Sequence, residues 1–187
     1  MTIYFTSDSH FGHDRDFIYG SRGFKSLQEH DETIIERWNK VVRPKDVVYH
    51  LGDVMLGADH EYGLNCLRRL NGTIYIIKGN HDTDRRWKEY QTLDNVVTLG
   101  LAYILKHEFG KCYLCHYPTE TSCLENMTPI KNHLINLHGH THSIHRFEHG
   151  KPYQYNVSLD SHGCYPVSLE EVYEDIRQEV QVCLSYL

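Results

Sequence analysis

The chain lacks most of the features that would take it out of the ordinary globular class. Only five of its 187 residues are proline. It has no internal repeat, low-complexity tract or linker, which excludes collagen-like, fibrous and disordered classes. No apolar run approaches the roughly 20 residues a membrane-spanning helix needs. Basic charge is not in excess: 19 Lys and Arg against 25 Asp and Glu leave a net charge of −6. That balance argues against a dedicated nucleic-acid-binding surface. It leaves a nucleotide substrate open, because a bound metal can supply local positive charge. The N-terminal stretch has no basic segment before Asp8, so no secretory leader is expected, and the six cysteines are expected to be reduced thiols in a cytoplasmic protein. Histidine is the residue present in unusual number, with 15 copies. It is the commonest metal ligand and the usual acid or base near neutral pH.

The apolar pattern predicts short strands at residues 2–6, 47–51 and 73–77, with helices between them. Ser26 and Glu29 read as a capping box opening a helix that ends before Arg43 and Pro44. Further helices are predicted at 58–70 and 83–90. Strands follow at 96–105, 112–116, 134–137 and 153–159, and a second capping box at Ser168 and Glu171 opens a last helix. The first half therefore reads as parallel β-α-β units and the second as mostly strands, within a single domain spanning 1–187. Cys112, Cys115 and His116 match the c-type haem attachment pattern, but without a leader and on a strand this reading is set aside.

Five strands end in polar clusters: Asp8 and His10, Asp53, Asn80 to Asp82, His116, and His140 with His142. In open α/β folds ligands gather beyond the carboxyl ends of strands, so these clusters are expected to converge. Asp8, His10, Asp53, Asn80, His116, His140 and His142 offer two carboxylates, one amide oxygen and four imidazoles. One ion needs only three or four protein donors, so seven suit two divalent ions. Mixed nitrogen and oxygen donors suit Mn, Fe, Zn, Ni or Co, with Mn favoured, and argue against calcium. Two such ions serve an in-line displacement at phosphorus by a metal-bridging hydroxide.

The stretches Asp8-Ser9-His10-Phe11-Gly12-His13, Gly52-Asp53, Gly79-Asn80-His81-Asp82, His116 and Gly139-His140-Thr141-His142 resemble, in order, the motifs of calcineurin-like metallophosphoesterases, particularly the small bacterial and phage type. The resemblance implies a four-layer α/β/β/α sandwich of two mixed sheets. It implies that Asp8, His10 and His142 hold one metal, that Asn80, His116 and His140 hold the other, and that Asp53 bridges them. It also implies that His81 is the general acid, oriented by Asp82. The activity implied is hydrolysis of a phosphomonoester or phosphodiester, with a small phosphate ester as partner.

His13, Arg15 and Arg22 are the candidate substrate-side groups, arginine being suited to bidentate phosphate contact. His50 reads as packed and His138 as structural. His30, His60, His107, His133, His145, His149 and His162 read as surface or loop residues, and residues 118–133 as a loop that shapes the pocket. The rival functions are a non-catalytic scaffold of the same fold, whose sign would be missing ligands, and a nuclease, whose sign would be a basic groove.

Overall fold

Alternation along the strands decides the layers. In the computed structural model, which describes residues 1–122 and 129–186, strands β1 (Ile3–Thr6), β2 (Val47–His50), β3 (Thr73–Ile77) and β4 (Val96–Gly100) run parallel. A short antiparallel strand, β9 (Val167–Ser168), borders β1, giving the order β4-β3-β2-β1-β9. Tyr4, Val48, Ile74 and Ile76 point to one side of this sheet. There they pack with Ile34, Ile35 and Trp38 of helix α2 (Leu27–Val41), Leu64 and Leu67 of α3 (His60–Arg68), and Tyr90 of α4 (Asp84–Tyr90). Phe5, Tyr49, Tyr75 and Ile77 point to the other side, as a period of two requires.

That second side meets another sheet, ordered β5-β6-β7-β8. Strands β5 (Ala102–His107) and β6 (Gly110–Cys115) form an antiparallel hairpin, and β7 (Leu134–His138) and β8 (Gln154–Asn156) continue in parallel. Leu105, Cys112, Leu114, Ile135 and Leu137 fill the space between the sheets together with Val172, Tyr173 and Ile176 of α5 (Leu169–Leu184). The result is the mixed α/β fold of two mixed sheets and helices that the motif resemblance implied. A four-residue helix, α1 (Asp16–Tyr19), lies in the connection after β1. Among the described residues no helix is long and apolar enough to cross a membrane.

Ser168 and Glu171 form the complete reciprocal cap expected of α5. At α2 only half of the box forms: Ser26 accepts from the Glu29 N–H, but the Glu29 carboxylate turns to the N–H of Lys25. The strand expected at 96–105 is two strands in two different sheets. It breaks at Leu101, which is 71% exposed, after Gly100 in the left-handed region at φ 105°. Of the irregular stretch 118–133, residues 123–128 lie outside the described residues, and Ile130–Asn132 forms a 3₁₀ turn. His30 and His133, expected at the surface, are buried.

Candidate metal centre

The parallel strands β1, β2, β3, β6 and β7 all deliver their carboxyl ends to one edge, and the loops beyond them are bonded to one another. The N–H of Asp8 donates to the Gly52 carbonyl at 3.0 Å, that of His10 to Asp53 at 3.1 Å, and that of Gly139 to His116 at 3.0 Å. The His81 N–H donates to Asp53 Oδ1 at 2.8 Å, and the His140 N–H to Asp8 Oδ2 at 3.0 Å. This crowding explains two glycines. A Cβ on Gly79 would run into the Asp53 carboxylate, and one on Gly139 into Ser7 and Asp8. The loops also hold an unusual backbone. Six non-glycine residues among those described have positive φ, and five of them are Asp8, His10, Asp53, His140 and His142. Such conformations cost about 1–3 kcal/mol each and gather where a site imposes them.

The side chains meet in two groups. His10 Nε2 and His142 Nε2 face each other at 3.2 Å, and Asp8 Oδ1 lies 3.9 Å from the first and 3.8 Å from the second. Donors held about 2.1 Å from a tetrahedral ion stand about 3.4 Å apart, so this triangle has the dimensions of a cation cradle. In the other group Asn80 Oδ1 is 2.8 Å from His116 Nε2 and 2.9 Å from His140 Nδ1. Asp53 Oδ2 stands between the groups, 3.4 Å from His116 Nε2 and 4.0 Å from His10 Nε2. The atoms of Asp8, His10 and His142, and those of Asp8, Asp53 and His116, each fall within a single ligand shell.

The Calcineurin-like phosphoesterase superfamily domain profile matches residues 1–157. An uncharacterized protein of Methanocaldococcus jannaschii is 32% identical over 181 residues, covering 94% of this chain and 92% of its own. The gene 66 protein of Mycobacterium phage D29 is 29% identical, with 94% and 98% covered. Among solved structures, an Aquifex aeolicus protein of unknown function shares the fold at a TM-score of 0.69 and 24% identity, with 92% and 98% covered. The chain belongs to the calcineurin-like phosphoesterase superfamily. Membership makes it a phosphoesterase whose cofactors are divalent metal ions, and the donor set just described fits such ions.

Electrostatics in this phosphoesterase follow from burial and pairing. Burial pushes the Asp8 carboxyl up and holds His10 well below its ordinary value. Burial also works to raise Asp53, but the hydrogen bond and charge of His116 and the other neighbours overturn it and leave Asp53 at about 2. His116 is raised in turn: burial opposes its charge, and the Asp53 and Asp8 carboxylates outweigh burial. The bond to Asp160 raises His142. A cation entering here competes with protons for His116 and His142, whose charged forms the neighbouring carboxylates favour.

Asp160 is the residue that sequence reasoning did not single out. Its Oδ2 accepts from His142 Nδ1 at 3.0 Å, fixing the ring so that Nε2 faces His10. Both Asp160 oxygens take Arg22, from Nε at 2.9 Å and Nη2 at 2.8 Å. Arg22 also donates to the Asp8 carbonyl at 2.7 Å and bonds His30 Nε2 at 2.9 Å, and His30 Nδ1 bonds Asp31 at 2.6 Å. A buried chain thus runs from Asp31 in α2 to His142. No motif spacing signals it, because its members are joined only in space.

This network corrects the expectation for Arg22. Its side chain is 3% exposed and its donors are committed, so it does not face a substrate. Arg15 is exposed and its backbone begins α1, whereas His13 stands beside the cluster, its ring 5.8 Å from that of His10. Asp82 also has a different task from the one expected. Its carboxylate accepts from the N–H groups of Asp53 (2.8 Å), Val54 (3.2 Å) and Gly79 (2.8 Å) and from the Tyr90 hydroxyl (2.8 Å). It ties two ligand loops together rather than orienting the His81 ring. His81 keeps 44% of its side chain exposed, with Nε2 at 3.9 Å from Asp53 Oδ2. His50 is packed as expected, bonded to Ser9 Oγ at 2.7 Å, and His138 Nδ1 donates to the Gly139 carbonyl at 2.9 Å.

Proposed function

We propose that this cluster is a dinuclear centre that hydrolyses a phosphomonoester or phosphodiester. The observation that supports it most is the position of Asp53 Oδ2, which lies 3.4 Å from a donor of one group and 4.0 Å from a donor of the other. Asp8, His10 and His142 would hold one ion, Asn80, His116 and His140 the second, and Asp53 would serve both. Two divalent ions bound there supply Lewis acidity and a water nucleophile active at neutral pH. Donors of nitrogen and oxygen without thiolate suit Mn, Fe, Zn, Ni or Co, and we take Mn²⁺ as the first ion to test.

The chain's own residues do the rest. His81 is the general acid: its ring is open to solvent, edge-on to His10 at 5.7 Å, and its backbone N–H is fixed on Asp53. Protonation of the leaving oxygen from such a position accounts for about 10²–10⁴-fold in rate. Asp82 and Asp160 keep the ligand loops and the His142 ring in place before any ion arrives.

The test is turnover of p-nitrophenyl phosphate and bis(p-nitrophenyl) phosphate with added Mn²⁺, alongside elemental analysis. We expect about two ions per chain and hydrolysis of at least one ester. A protein that binds no ion and turns over neither would be a scaffold of the same fold, and the proposal would fall.

A further inference from the structure

Next to the proposed general acid lies a cavity of about 460 Å³, within the range of small-molecule sites. On the cluster side it is bounded by His10, His81 and His142. The opposite wall is apolar, made by Phe17, Ile18, Leu56 and Ile144. Phe17 and Ile144 are 65% and 73% exposed, large apolar side chains held in solvent at the rim of a polar site. Phe17 is not loose: the His13 ring meets it edge-on at 5.7 Å, and its neighbour Ile18 is buried.

Charge is as telling as shape. Among the described residues no lysine or arginine lines the cavity. Its one carboxylate, Asp160, is committed to Arg22 and His142. Arg86, bonded to Leu56, commits both terminal nitrogens to the carbonyls of His81, Leu56 and Gly57. A second phosphate inside the cavity would meet no cationic lining residue, the exposed Arg15 acting only from beside His13, whereas a flat apolar ring would cover Phe17 and Ile144.

Resting on the phosphoesterase reading above, we infer that this cavity is the leaving-group subsite and that the substrate is a single-phosphate ester of a flat, uncharged, aryl-sized group. The phosphate sits at the cluster, the ring lies against Phe17 and Ile144, and the ester oxygen falls beside His81.

The experiment compares 2-naphthyl phosphate, phenyl phosphate and phenyl diphosphate on the Mn²⁺-loaded full chain. Naphthyl and phenyl leaving groups have similar acidity, so a difference in KM reads the apolar contact. The added ring should lower KM about tenfold. Phe17→Ala and Ile144→Ala should each raise the naphthyl KM several-fold, with kcat and metal content kept. Ile104→Ala, an exposed apolar residue on β5, should change neither constant. The diphosphate should be the poorest of the three in kcat/KM. Equal KM values for naphthyl and phenyl esters, or equal losses in all variants, would overturn the subsite. Binding of 2-naphthylphosphonate, which cannot be hydrolysed, is followed in parallel by its fluorescence. If no ester is turned over, the catalytic reading fails by itself. The subsite then stands if the phosphonate binds and Phe17→Ala weakens it, and falls if it does not.

Discussion

The two groups of candidate donors lie a few ångström apart yet occupy different media. Asp8 and His10 are buried, Asp8 takes the Ser7 hydroxyl at 2.5 Å, and His142 is braced through Asp160 to a chain of buried side chains. In the other group only His116 is buried, its Nδ1 donating to the Leu51 carbonyl at 2.7 Å. Asn80 and His140 are exposed and bond chiefly to their fellow donors. The first group is thus held in place by the protein, at the expense of desolvating two ionisable groups. The second is open, and beyond the anchor of His116 on Leu51 its side chains close on one another. Pre-organisation and access have been divided between two halves of one centre.

The substitution with the largest effect removes what the halves share. Asp53→Asn should abolish turnover, by about 10⁴-fold or more, and deplete both ions in elemental analysis, because both groups meet at its carboxylate. If only one ion is lost, the halves are independent and the bridging role is wrong. His81→Ala should cost about 10²–10⁴-fold in kcat while leaving metal content intact, and the loss should be smaller for esters with acidic leaving groups. Asp160→Asn tests the contrast directly. It should weaken one class of site about 10–100-fold in a Mn²⁺ titration and spare the other. In the unaltered protein, graded chelation should empty the open half first, giving two resolved steps, and a single step would remove the contrast.

The effect furthest from turnover is on stability. Burial holds His50 at about 3, beneath the buried group, and His162 at about 4, away from it. An unfolded histidine titrates near 6.5. Between those values only the unfolded chain takes the proton, so stability is full above about pH 6.5 and is lost as pH falls toward 4, by at most about 1.4 kcal/mol per unit for each ring. Urea midpoints between pH 7 and 4 should show that slope, and His50→Gln should flatten it by about one proton even though it destabilises the fold at neutral pH.

Much of this was legible in the residues. Strand ends followed by Asp8, Asp53, Asn80, His116 and His140 announced both the parallel order and the meeting point, because β-propensity stops where polar donors begin. Three things were not. The break at Leu101 is invisible because both flanking segments alternate as strands do, and only packing assigns them to different sheets. Asp82 follows His81 in sequence and so suggested a pair, yet adjacent residues point apart, and its carboxylate found N–H groups from loops some 28 residues away. Arg22 looked like a phosphate ligand because its partner Asp160, 138 positions later, carries no local signal.

The left-handed backbone at Asp8, His10, Asp53, His140 and His142 restricts what this centre can become. Aspartate, asparagine and histidine tolerate that conformation better than other side chains, and they are also the donors borderline divalent ions prefer. A longer or β-branched side chain at these corners would have to fight the chain path as well as the coordination distance. The routes by which such a site exchanges its ligands are therefore narrowed by its dihedral angles before its chemistry is consulted.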